Sequence, residues 1–117
     1  MTLGSRGRVL VVGSRLSGLR IGGARVVTTT KGRVYDTAFW TRNASVVVVN
    51  VDQQGLAVVR DLHVLYPQLD LVAVTARSGS AADAKRVGAT TVVLGRPTDS
   101  TNAVVSGVVS ALLERRR

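Results

Sequence analysis

The residues that could do chemistry are few. A short aliphatic run at residues 9–12 is followed by Gly13-Ser14-Arg15-Leu16-Ser17-Gly18. That loop keeps the first and third glycines of the G-x-G-x-x-G dinucleotide loop and puts Arg15 at the second. The middle glycine normally lets the backbone approach a pyrophosphate; an arginine there obstructs that approach but offers a phosphate a direct charged contact. The pattern also expects an acid about 20 positions on, to hold a ribose. The nearest is Asp36, beyond the end of the second aliphatic run, which argues against NAD and for a simple anion or a mononucleotide. The cofactor itself is not identified by these residues. Two readings stay open: an anion or nucleotide loop formed by Gly13, Ser14, Arg15 and Gly18, or an ordinary strand-to-helix turn.

Asp52 follows the strongest apolar run and is flanked by Gln53 and Gln54. It is a candidate ligand contact, and equally the N-cap of the next helix. Asp61 and Asp70 have no partner at a spacing that suggests paired acid and base. His63, between Leu62 and Val64, reads as a structural or partly exposed residue of a helix. Ser78, Ser80, Thr98, Ser100 and Thr101 fall near strand ends, but no base is placed to activate any of them. No catalytic residue is assigned, and a non-enzymatic role is expected. With no cysteine and one histidine, no metal site is expected either.

These residues must be positioned by a scaffold that the apolar pattern describes. The chain has 117 residues, 45% of them hydrophobic but only 3% aromatic, so the core is filled with Val, Ala and Leu, the palette of strands buried on both faces. Strands are expected at residues 9–12, 25–30, 45–50, 71–75 and 91–94, and helices at 35–42, 53–66, 80–87 and from 99 or 100 to about 114. Pro67 and Gly88 mark two helix ends. Glycines 18, 22 and 23 leave room for only a short turn of helix between residues 14 and 23. From residue 45 strands and helices alternate, which implies right-handed crossovers and parallel pairing. The expectation is one α/β domain over residues 1–117, a Rossmann-like three-layer sandwich with a mostly parallel sheet of about five strands, and basic termini at 1–8 and 115–117. Ligands of such sheets bind beyond the carboxyl ends of the strands, where Gly13 and Asp52 fall.

The net charge of +9 favours encounter with polyanions. Nucleic acid is not favoured, because the basic residues are not interleaved with aromatics for base stacking. Residues 1–8 lack the apolar centre of a signal peptide, and no apolar stretch approaches the roughly 18–20 residues that span a bilayer, so a cytoplasmic protein is expected. Val104, Val105, Val108 and Val109 wrap more than one face of the last helix, which suggests a homo-oligomer, a homodimer in the simplest case.

Two family resemblances follow from particular residues. Over residues 43–94, Ala44 before Ser45-Val46-Val47-Val48-Val49, then Asp52, a helix closing on Tyr66-Pro67, Leu71-Val72-Ala73-Val74, Arg77, and Gly88-Ala89 before Val92-Val93-Leu94 resemble the TrkA-N or RCK domains. These are Rossmann-type regulators of potassium channels and transporters. That likeness implies a ligand-sensing regulatory domain for potassium transport with a membrane transporter or channel subunit as partner, and places Gly13, Gly18 and Asp52 at a nucleotide. The passage from Gly18 to Ala24 is shorter than that family's. The second resemblance is to response-regulator receiver domains, through Thr75-Ala76, Gly88-Ala89 and Arg96-Pro97, which match their Thr-Ala, Gly-Ala and Lys-Pro landmarks. There the phosphoacceptor position is Asn50 or is displaced to Asp52, Gly13-Ser14 replaces the acidic pair, and Arg96 replaces the lysine. It implies a pseudo-receiver that docks to partner proteins. A basic nucleic-acid-associated protein is the third reading.

Overall fold

The computed structural model describes residues 7–13, 19, 21–30, 33–34, 43–96 and 98–115. Five strands, β1 (Arg8–Val12), β2 (Arg25–Thr29), β3 (Val46–Asn50), β4 (Asp70–Thr75) and β5 (Thr91–Leu94), form one sheet in the order β2-β1-β3-β4-β5. Every pairing is parallel. Four helices follow β3 onward: α1 (Val51–Gln54), α2 (Leu56–Leu65), α3 (Ser78–Arg86) and α4 (Asp99–Arg115). The expected α/β three-layer sandwich is therefore present.

The period-two alternation of a strand sorts the valines between two cores. Leu10, Val12, Val47, Val49, Leu71 and Ala73 face α2 and α3, where they meet Val58, Val59, Leu62 and Ala84. Val9, Val11, Val46, Val48, Val72 and Val74 face the other way, against Val105, Val109, Leu112 and Leu113 of α4 and against Leu19 and Ile21. Burying a Val or Leu side chain stabilises the fold by about 1.5–3 kcal/mol relative to exposure, so both layers are held by many small aliphatic contributions.

Element boundaries depart from expectation where a glycine or a polar contact intervenes. The helix expected over 53–66 starts directly after β3 and breaks at Gly55, whose φ of +90° separates α1 from α2. α3 starts at Ser78, two residues before the expected 80, and α4 matches closely. Residues 21–24 form a tight turn, the Ala24 N–H donating to the Ile21 carbonyl at 3.1 Å. The helix expected over 35–42 lies outside the described residues.

His63 is an exposed residue near the end of α2. Gly88 sits under its ring with φ +126°, and a Cβ added there would lie 2.4 Å from His63 Cγ. Replacing Gly88 with Ala therefore imposes both backbone strain and a clash. Gly88→Ala is expected to destabilise the fold by more than about 2 kcal/mol. Gly79→Ala, in α3 with nothing within 4 Å of its added Cβ, is expected to be neutral or stabilising by up to about 1 kcal/mol. Urea denaturation of the two variants checks the pair.

Candidate functional site

Strand order reverses direction between β1 and β3, so the crevice beyond their carboxyl ends is where an open α/β sheet accepts a ligand. Gly13 closes β1, and its N–H donates to the Thr29 carbonyl at 2.8 Å. Its φ is +133°, and a Cβ there would lie 2.8 Å from Asn50 Cβ and 3.1 Å from Gln53 Oε1. The glycine is thus required by the close approach of the chain's own β3–α1 corner, a reason independent of any phosphate. Ser14, Arg15 and Gly18, the rest of the expected anion loop, lie outside the described residues.

Asn50 ends β3 as a buried amide. Asp52 is the second residue of α1, which corrects its reading as a helix N-cap. The capping position belongs to Asn50, whose side chain makes no cap bond, because the helix begins immediately at the strand's end. The Asp52 carboxylate reaches across to the end of β4. Thr75 Oγ1 donates to Asp52 Oδ1 at 2.6 Å, and the Ala76 N–H donates to Oδ2 at 2.7 Å. The same Thr75 hydroxyl accepts from the Arg77 N–H at 3.1 Å, and α3 begins at the next residue. A continuous chain of bonds therefore runs from the β3–α1 corner through β4 to the start of α3.

Partial desolvation pushes the Asp52 carboxyl up. The Ala76 N–H, the Thr75 hydroxyl and the positive charge of Arg77 outweigh it, so the group is held below the ordinary aspartate value. Each oxygen accepts one bond from a donor of its own chain. Arg77 and Arg96 are exposed beyond the ends of the neighbouring strands β4 and β5. Beside Arg96, Gly95 donates its N–H to the Thr75 carbonyl at 2.8 Å and lies so near α4 that an added Cβ would be 2.6 Å from Thr101 Oγ1. Among the described residues no three His, Asp or Glu side chains gather as a cation site, and no helix is long and apolar enough to cross a membrane.

Sequence reasoning placed Gly13 and Asp52 at this edge but missed Asp52's partners. Thr75-Ala76 was visible only as a landmark of a resemblance, since a bond spanning 23 positions leaves no local spacing to read.

No protein-family model matches the chain, and no curated protein does. Solved structures do. A response regulator receiver domain protein from Clostridium thermocellum superimposes with a TM-score of 0.74 at 16% identity, over 94% of this chain and 96% of the other. The BeF3-activated DrrB receiver domain gives 0.70 at 18%, over 92% and 97%. A pilus assembly-related protein from Burkholderia pseudomallei gives 0.71 at 19%, over 97% and 94%. These neighbours overturn the TrkA-N or RCK reading, and with it the assignment to potassium transport and the membrane transporter partner. Topology gives the reason. A dinucleotide-binding Rossmann sheet runs 3-2-1-4-5-6, with its third strand outside the second. Here β3 lies between β1 and β4, and the alanine-to-valine landmarks of residues 43–94 are shared by any parallel α/β sheet.

Removing the Asp52 carboxylate leaves Thr75 and Ala76 to water. Asp52→Asn is expected to cost about 1–2 kcal/mol, the low side for bonds to a charged group because Asp52 lies on the surface. Since folding lowers this carboxyl's pKa, its contribution is complete above the unfolded value of about 3.9 and lost as pH falls through the lower folded value. The stability difference between wild type and Asp52→Asn is expected to stay constant above that pH and shrink below it, as followed by denaturation at a series of pH values. The chain has the fold of response-regulator receiver domains.

Proposed function

We propose that this chain is a pseudo-receiver, a receiver-fold module without phosphoacceptor chemistry that acts by docking to other proteins. The observation that carries this reading is the engagement of Asp52 by Thr75 and Ala76, combined with an amide, Asn50, at the end of β3. By the resemblance to receivers, the phosphoacceptor position falls at Asn50 or is displaced to Asp52. The carboxylate at this corner is Asp52, and each of its oxygens accepts a bond from its own chain.

The divalent cation that supports phosphoryl chemistry in receivers does not fit these residues. Gly13 supplies no side chain where an acid is needed. Asn50 supplies a neutral amide, and a hard cation prefers several carboxylate or carbonyl oxygens in a well-shaped cage. No phosphoryl transfer step is derived for this protein.

The bonds through Asp52 do offer a non-catalytic function. They tie the switch-point corner to the start of α3, so the position of that helix is set by a built-in negative charge rather than one added and removed. A module held in one arrangement acts through the surfaces it displays, without turnover.

Treatment with acetyl phosphate and Mg²⁺ is expected to leave the intact mass and the amide resonances unchanged. Asp52→Asn is expected to shift the resonances of Ala76, Arg77 and the first turn of α3. A phosphoryl adduct on the wild-type chain, or a resonance shift with beryllofluoride and Mg²⁺, would overturn the reading.

A further inference from the structure

Charge is divided unevenly between the two edges of the sheet. Beyond the carboxyl ends of the strands, Arg77 and Arg96 are matched by Asp52 and Asp99 among the described residues. At the opposite, amino edge stand Arg8 at the start of β1, Arg25 at the start of β2, Lys85 and Arg86 at the end of α3, and Arg115 at the end of α4. The acids there are Asp70, Asp83 and Glu114. The sequence adds Arg6 just before Gly7 and two further arginines just after Arg115. Half of the chain's 16 Lys and Arg residues therefore lie at this edge or within two positions of it.

The fold gathers these charges from distant parts of the chain. A Cβ added to Gly7 would lie 3.0 Å from Leu113 Cδ2 and 3.1 Å from Ser45 Oγ, so the segment entering β1 and the segment leaving α4 meet here. Parallel register sets Arg8 opposite Arg25, a placement of like charges that is unfavourable for the fold alone. Helix dipoles account for the cations that end α3 and α4, but not for Arg8 and Arg25, which begin strands.

Apolar side chains stand among these cations. By alternation, Arg8 and Arg25 fall on the same sheet face as Leu10 and Val27, the face that α2 covers. The last two residues of α2 are Val64 and Leu65, 72% and 55% exposed. A turn follows, the Leu69 N–H donating to the Tyr66 carbonyl at 3.0 Å, and returns the chain to β4 at this same edge. Gly88 beneath the His63 ring brings the end of α3 beside that last turn. Given the strand order, Val64 and Leu65 have Arg8 and Arg25 to one side and Lys85 and Arg86 to the other.

That combination selects the partner. A nucleic-acid backbone would pair with the cations but offers Val64 and Leu65 no apolar layer. An acidic protein would need a groove shaped for side chains that project from a helix end. A bilayer of anionic phospholipid supplies negative headgroups for the cations and, just beneath them, acyl chains that accept projecting aliphatic groups without a preformed groove. We infer that the amino edge of the sheet docks on an anionic lipid surface, with Val64 and Leu65 entering the headgroup boundary and the flanking basic residues holding lipid phosphates. The domain lies on the bilayer and does not span it. This surface is at the opposite edge from Asp52 and does not rest on the pseudo-receiver reading.

Sedimentation of the full chain with vesicles tests it. Vesicles of equal parts phosphatidylcholine and phosphatidylglycerol are expected to carry the protein down, phosphatidylcholine vesicles are not, and binding should weaken as NaCl rises from about 50 to 500 mM. Arg25→Glu should lower the affinity at least about fivefold, the effect of one lost cation at such a surface. Val64→Asp should lower it at least about tenfold while keeping the melting temperature, and Val64→Leu should bind at least as tightly as the wild type. No binding to the anionic vesicles, equal binding to phosphatidylcholine alone, binding unaffected by Val64→Asp, or tighter binding per charge to a DNA duplex or to polyglutamate would each overturn the inference.

Discussion

β3 is hydrogen-bonded along both edges, to β1 and β4, and covered on both faces, so that every residue from Val46 to Asn50 is buried. A strand in that position can carry only compact apolar side chains until the chain leaves the sheet. Val46 and Val48 serve one core, Val47 and Val49 the other. A register slip of one residue would exchange the two sets while β1 and β4 stayed fixed. The valine run thus fixes where the strand ends, and the strand's end fixes where Asn50 and Asp52 can stand. Because the order of the sheet reverses at β1 and β3, that end also lies beside Gly13, whose missing Cβ allows the corner to close.

The polar part of the edge follows from this placement. Asn50 is the last residue of β3 and Asp52 the first exposed residue beyond it, with one buried helical residue, Val51, between. At that distance a carboxylate can reach the end of β4, where Thr75 is buried and the Ala76 N–H faces outward. Two donors in register with two acceptor oxygens hold it there, and the resulting stabilisation of the charged form outweighs the loss of hydration. The interaction that orders this corner engages each oxygen of the carboxylate once.

The sequence was most legible where burial dictates residue type. Four consecutive valines, Leu71 to Thr75, and the apolar spacing of the last helix located β3, β4 and α4 to within a residue or two, and the alternation after residue 45 implied parallel pairing. Strand order was not legible. The valines of β3 satisfy a place beside β1 as well as one outside β2, and the landmarks that resembled TrkA-N domains followed from parallel α/β alternation itself. The single helix expected over 53–66 failed at Gly55, because a lone glycine inside an apolar period does not reveal a positive φ. Asp52 was found as a residue but given the wrong partner. Capping is a local rule, and its actual bonds cross to a strand whose neighbourhood only the folded sheet defines.

Anchorage is uneven among the helices. α2 inserts Val58, Val59 and Leu62 into the core and α4 inserts Val105, Val109, Leu112 and Leu113, while α3 buries only Ala84. With little apolar area holding its middle, α3 depends more on its ends. At the C-terminal end Lys85 Nζ donates to the Thr90 carbonyl at 2.8 Å, and Gly88 packs beneath His63. At the N-terminal end Arg77 donates its N–H to the hydroxyl that Asp52 holds. Elements with few buried apolar contacts open at lower free energy than the core around them. A single surface carboxylate therefore acts on α3 at its N-terminal end, beside a helix whose one fully buried side chain is Ala84.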